Sequence, residues 1–245
     1  MNRKAILIES SAVAGQRDLP GARVDIANWI DFLKSNLGGA WTDAEMAILR
    51  KPPSSQVIAE LKVPTDTYTF VAFSGHGADG RVVLNDRNSS FSISDMKPTS
   101  SRGVLIVDSC RGVETSTYNF SVMANRMNSM VLANAKVGRS TVIDEAKYPA
   151  LYRSIWENGF TSSTGIVQML ACARGQGAEE DPEAGGYYTS LLMAGAELWT
   201  KEATVATTYS TREAHDHAAR NLSSQQTPEY APSGLGFPFA AKFKP

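Results

Sequence analysis

Two stretches decide the fold of this chain: Phe70-Val71-Ala72-Phe73-Ser74-Gly75-His76-Gly77 and Val104-Leu105-Ile106-Val107-Asp108-Ser109-Cys110-Arg111-Gly112. Each is an apolar run, rich in β-branched or aromatic residues, that stops at a polar, glycine-bearing tip. Such runs read as strands buried on both faces, as in parallel sheets. Ligands and reacting groups in open α/β sheets gather beyond the carboxyl ends of the strands. One tip carries His76 and the other Cys110, so a Cys-His dyad is expected there. A cysteine attacks a carbonyl as thiolate, and a nearby histidine draws off its proton or holds it as an ion pair. The alternative is a buried structural thiol and an incidental loop histidine. Placement just past two strand ends, beside glycine, favours the dyad.

Working outward, Lys4 to Glu9 reads as a first buried strand. Pro20-Gly21 suits a helix start. Ala22, Ile26, Ile30, Leu33 and Leu37 follow at helical spacing, and Gly38-Gly39 is expected to end that helix. Glu45 to Leu49 reads as a strand, Gln56 to Leu61 as a helix, Thr67 to Phe73 and Gly103 to Val107 as strands, and Arg81 to Leu84 as a hairpin arm. Between Val113 and Thr164 the pattern loosens, with helical patches at Phe120 to Leu132 and Tyr148 to Trp156. Gly165 to Ala171 is again a buried strand, and Gly175 to Gly186 an acidic, glycine-rich loop. Helices are expected over Tyr187 to Trp199 and Ser210 to Leu222, and a last strand over Phe237 to Phe243. Alternating strands and helices predict an α/β fold with a mostly parallel sheet covered on both faces.

Composition narrows the function. The chain has 245 residues, 42% hydrophobic and 20% charged, ordinary for a globular protein. A formal net charge of -1 gives no dedicated nucleic-acid surface. No stretch approaches the roughly 20 apolar residues of a membrane span, and the start is too short in apolar residues for a signal peptide. Two cysteines are too few for a disulfide framework and suit a reducing cytoplasm. No His/Cys cluster has zinc spacing, and His215 and His217 point to different faces of a helix. Tyr187, Tyr188 and Trp199 read as core, although the two tyrosines also follow the acidic loop and are placed to line a groove.

Ser-Gly-His-Gly after one strand and Asp-Ser-Cys after the next resemble the caspase-like cysteine peptidases, and most closely the small bacterial metacaspases. The resemblance covers most of the chain. Gly21-Ala22-Arg23-Val24-Asp25 resembles a metacaspase segment early in the fold, and Gly165 to Leu192 resembles the small-subunit region. Gln226-Thr227-Pro228 before the last strand also fits. The resemblance implies a three-layer sandwich with about six strands in one domain, residues 1–245. Residues 1–112 would be large-subunit-like, 113–164 linker-like and 165–245 small-subunit-like. It also implies that His76 is the general base and acid, that Cys110 is the nucleophile, and that the N–H groups of Gly77 and Cys110 form the oxyanion hole. No third triad residue is evident.

Caspases cut after Asp with arginines in the primary pocket; metacaspases resemble them in fold but cut after Arg or Lys with acids. The metacaspase pocket positions match Asp25, Ser74 and Asp108, and a carboxylate pair suits a guanidinium. Alone, Asp25 reads as a solvated acid near a helix N-terminus and Asp108 as a strand-end acid. The chain departs from the pattern in having Arg111-Gly112 after the nucleophile, nearer to true caspases, which leaves an acidic preference open. Cys172 reads as a packed strand residue. Glu179, Glu180, Asp181 and Glu183 read as a solvated loop, with a part in binding or in calcium activation left open; no cofactor is required. Arg126, Lys136, Arg139, Lys147 and Arg153 make the linker a target for self-cleavage or for an upstream activating protease. The expected partner is a protein or peptide substrate. The alternative is a silent scaffold that binds a partner. The last strand is the expected edge at which two copies would pair.

Overall fold

The computed structural model describes residues 1–84, 90–112, 148–160, 164–232 and 234–243. Strand β1 (Arg3–Ser10) leads through helix α1 (Pro20–Lys34), β2 (Met46–Arg50) and α2 (Ser54–Leu61) to β3 (Tyr68–Gly75). A small antiparallel sheet of β4 (Gly77–Ala78), β5 (Arg81–Val83) and β6 (Ser90–Ser92) precedes β7 (Arg102–Asp108). Helix α3 (Pro149–Asn158), β8 (Gly165–Leu170) and the hairpin β9 (Glu180–Asp181) and β10 (Gly185–Gly186) follow. Then come α4 (Tyr187–Glu202), β11 (Thr207–Ser210), α5 (Thr211–Asn221), β12 (Glu229–Ala231) and β13 (Pro238–Lys242).

The central sheet has six strands in the order β12-β8-β7-β3-β1-β2, all parallel except β12. Its apolar strands are buried on both faces, which is why they read as continuous runs. On one face Phe70, Ala72, Val104, Ile106 and Met169 pack against Ile26, Trp29 and Leu33 of α1 and Tyr188, Leu191 and Leu192 of α4. On the other, Ile6, Ile8, Val71, Phe73, Leu105 and Val107 pack against Val57 and Leu61 of α2. The three-layer α/β sandwich is therefore present as expected.

Four expectations need correction. Helix α1 ends at Lys34, before Leu37, because the Ser35 hydroxyl donates to Phe32 O at 2.6 Å and accepts from Gly38 N at 3.2 Å. Those bonds turn the backbone out of the helix. Strand β13 lies outside the central sheet. It pairs antiparallel with β11, while Phe239 packs on Trp29 and Phe32 over the helical layer. The sheet edge on that side is β12 instead. Finally, the linker-like range does not extend over residues 148–160. Trp156 of helix α3 and Phe160 belong to the core, and Arg153 of the same helix pairs with Glu45 and Glu157. The proposed sites Arg126, Lys136, Arg139 and Lys147, and the helical patch from Phe120 to Leu132, lie outside the described residues.

A buried arginine locks α3 in place. Arg3 donates to Gly39 O at 2.9 Å and to Glu45, and its guanidinium lies 4.3 Å from the Trp41 ring centroid and 5.2 Å from that of Trp156. Burial raises the Glu45 carboxyl, but hydrogen bonds from Arg3 and Arg153 outweigh it and hold the group at about 2. Trp156 also meets Trp41, Tyr68 and Phe160 with ring centroids 5.6, 5.3 and 4.7 Å away. Trp156→Ala is expected to cost roughly 3–5 kcal/mol of stability, read as a lower denaturant midpoint. A midpoint near that of the wild type would show that α3 is not part of the cooperative core.

Candidate active site

Strands β3 and β7 pair in step from Tyr68↔Arg102 to Ser74↔Asp108, so their chains leave the sheet at the same level. His76 and Cys110 each lie two residues past that last pair. The tips press together through glycine. A Cβ on Gly77 would sit 2.6 Å from Cys110 O and from Ser109 Oγ. Gly75 has φ 154°, and a Cβ there would come within 2.7 Å of the Ser10 carbonyl carbon.

Each member of the expected dyad is held by backbone. His76 Nε2 lies 2.6 Å from the Arg17 carbonyl oxygen. Cys110 Sγ accepts from Ala178 N at 3.4 Å and stands 3.7 Å from Ala178 O. No hydrogen bond joins His76 to Cys110. Burial pushes the Cys110 thiol up, offset in part by the Ala178 amide. Burial also lowers His76, against the pull of the Arg17 and Ser11 carbonyls. Both shifts favour the neutral thiol and the neutral imidazole. With Nε2–H donating to Arg17, the lone pair resides on Nδ1.

The segment after β8 braces the nucleophile. Arg111 N donates to Gln176 O at 2.8 Å and Gly175 N to Arg111 O at 2.9 Å. The Arg111 guanidinium turns to Cys172 O at 2.9 Å and to Glu229 on β12. Gln226 bridges the same region, donating to Ala171 O and accepting from Glu179 N, both at 3.1 Å. Cys172 is fully buried, its Sγ 3.4 Å from Ser109 O and from Gln176 O, and burial pushes it up to about 12.

Asp25, Ser74 and Asp108 meet on one face of the sheet. Ser74 Oγ donates to Asp25 Oδ2 at 2.6 Å, and Gly186 N donates to Asp25 Oδ1 at 2.8 Å. Thr189 donates to Asp108 Oδ2 from its N at 3.1 Å and its Oγ1 at 2.8 Å. A Cβ on Gly186 would lie 2.8 Å from Asp108 Cγ and 3.0 Å from Asp25 Oδ2, so both carboxylates close on one point. Burial, then the neighbouring Asp108, raises Asp25 well above the carboxylate range. Burial raises Asp108 to about 6 despite the Thr189 bonds. Neither acid is ion-paired among the described residues, and burial side by side favours a proton on the pair.

A third acid stands beside them. The Glu180 carboxylate lies against the start of α1, where a Cβ on Gly21 would come within 2.6 Å of its Oε2; that helix has no side-chain cap of its own. Burial raises Glu180 to about 7, and Arg17 lies 3.7 Å from its Oε1. The sequence places Glu180 only in an acidic run. Asp181, beside it, accepts from Glu183 N and Ala184 N and shapes the hairpin. Among the described residues no group of three or more His, Cys, Asp or Glu could hold a metal ion.

Of the remaining candidates, His215, Tyr187 and Tyr188 are buried and His217 is half-buried. His215 bonds to Tyr188 at 2.8 Å, while the His217 ring faces Gly195 of α4. The Arg17 carbonyl and the Ala178 amide are backbone groups, which no residue type announces.

A model of the caspase domain matches residues 2–239. The chain belongs to the caspase family of cysteine peptidases. The crystal structure of caspase-1 from Spodoptera frugiperda superposes with a TM-score of 0.59, covering 94% of this chain and 88% of that one at 11% identity. That likeness is one of fold. A search of curated protein sequences returns no match. For a caspase-family chain the arrangement explains how two side chains from separate strands reach one place: parallel pairing, not local sequence, brings them there. No helix among the described residues is long and apolar enough to cross a membrane.

Iodoacetamide is expected to label Cys110 and spare Cys172, as read by peptide mass. Labelling of Cys110 should keep rising with pH through the ordinary thiol range. A plateau near neutral pH would instead reveal a preformed thiolate–imidazolium pair.

Proposed function

We propose that this caspase-family peptidase cleaves proteins after Arg, with Lys second, through Cys110 and His76. The convergence of the buried Asp25 and Asp108 carboxylates on Gly186 carries the reading. Two carboxylates held by Ser74, Gly186 N and Thr189 offer a guanidinium paired acceptors, and the proton they share leaves as it enters. The nearby Arg111 is turned away from an acidic P1 side chain, its Nη1 donating to Cys172 O and Glu229.

The chemistry follows from the positions. The substrate main chain takes the Ala178 edge and displaces the thiol from it. His76 Nδ1 then accepts the Cys110 proton as Sγ attacks the carbonyl carbon. Negative charge develops on the carbonyl oxygen, toward the Gly77 and Cys110 N–H groups. Collapse breaks the C–N bond, and His76 returns the proton to the leaving amine. Water, deprotonated by His76, hydrolyses the thioester and frees the thiol. Arg17 O holds the ring throughout.

A silent scaffold is the second reading, favoured by the separate hydrogen bonding of His76 and Cys110 in the free chain. Fluorogenic peptides differing only at P1 decide between them. Cleavage after Arg and Lys, absent in Cys110→Ala, is expected with and without calcium. Cleavage after Asp overturns the pocket, and inertness of chain that is intact or nicked in its linker favours the scaffold. Asp25→Ala is expected to lower kcat/KM on Arg peptides about 30- to 1,000-fold, the range for stripping one partner from a buried charge contact. Retained activity with the same Arg preference would sink the Asp25 assignment.

The pH profile carries a sign. Ionised carboxylates hold the P1 cation, and Asp108 and Glu180 stand at about 6 and about 7. For Arg peptides, kcat/KM should therefore climb from pH 5 to neutrality and fall off in acid. A flat profile over that window would count against the acidic pocket.

A further inference from the structure

We propose that Arg17 is a built-in competitor for the basic side chain of the substrate: its guanidinium occupies Glu180 at the pocket rim, and a P1 cation enters by taking that carboxylate from it. This rests on the basic-P1 reading above and adds a specificity-determining residue to it.

Arg17 lies in the loop between β1 and α1, whose backbone is tied down. Leu19 N donates to Ser11 O at 2.9 Å, and Ser11 N donates to the buried Glu9 carboxylate at 2.9 Å. Arg23 clamps the loop through Ser11 Oγ at 2.8 Å and Asp18 Oδ1 at 3.0 Å. The Arg17 carbonyl thus stays on His76, while its side chain reaches from outside toward Glu180. The Arg17 side chain is 63% exposed and that of Glu180 16%, so the cation is on the solvent side of the pair. Glu180 packs against the Gly21 backbone at the start of α1, a contact that does not involve Arg17.

The pair is built to yield. An ion pair with one exposed member at 3.7 Å contributes little and exchanges readily. An incoming guanidinium or ammonium offers Glu180 the same charge, and the deeper Asp25 and Asp108 add their own attraction for it. An uncharged P1 side chain offers no exchange and leaves Arg17 seated. The groups facing Glu180 are Arg17 from the loop, the α1 N-terminus with Arg23 and with Asp25 behind it, Asp108 at the end of β7 and Cys110 beyond it.

Benzamidine, a small cation that is not turned over, reports on the site apart from catalysis. In Arg17→Gln its Ki and the KM for Arg peptides are expected to fall roughly two- to fivefold. Arg17→Lys should stay near the wild type, and the gain should vanish when Arg17→Gln is combined with Glu180→Gln. Thermal unfolding checks that each variant is folded. Unchanged or raised Ki and KM in folded Arg17→Gln overturn the proposal, as does a change confined to kcat, which would mean that the side chain positions His76. If the wild type neither binds benzamidine nor cleaves Arg peptides, the acidic pocket fails and this inference falls with it. If it does both and Arg17→Gln behaves identically, only the role of Arg17 fails.

Discussion

The in-step parallel pairing of β3 with β7 fixes where every group of the site stands. Strand side chains alternate between faces, so a slip of one residue would send Ser74 or Asp108 to the opposite layer. With the observed register, both reach the face covered by α1 and α4. Asp25 arrives from α1, and Gly186 and Thr189 arrive from the start of α4. The same register brings the two tips beyond the sheet to one level, where glycine lets their backbones touch. The cores on the two faces enforce that register, because a one-residue slip would also exchange Phe70 to Phe73 and Val104 to Val107 between two differently packed layers.

The site combines a rigid sheet with groups kept out of their most stable solvation. Asp25 and Asp108 are buried without a counter-ion among the described residues, and hydrogen bonds only part-compensate that placement. A fold tolerates such groups where they serve binding and recovers the loss in its core. Here the recovery lies in the aromatic cluster around Tyr68, Trp156 and Phe237 and in the Arg3 network. Stability and function are drawn from different ends of the same strands.

Much of this was legible in the chain. Strands β1, β3, β7 and β8 could be read because burial on both faces leaves an unbroken apolar run. The His76 and Cys110 tips stood out because glycine and polarity end those runs abruptly. The short strands β11, Thr-Thr-Tyr-Ser, and β12, Glu-Tyr-Ala, carry no period long enough to register. Glu180 was hidden among Glu179, Asp181 and Glu183, since only tertiary structure assigns one acid to a helix end and another to a turn. The carbonyl that holds His76 and the amide that holds Cys110 belong to Arg17 and Ala178 without depending on either side chain.

The sheet order has a consequence for any break in the chain. Strands β8 and β12, from the later half, extend the sheet beyond β7, from the earlier half, while Arg3 lies on Trp156 and Glu45 pairs with Arg153 across the same divide. The two halves are interwoven, not side by side. A nick between Val113 and Lys147 would therefore yield two polypeptides that migrate as one particle until denatured, each finishing the other's sheet.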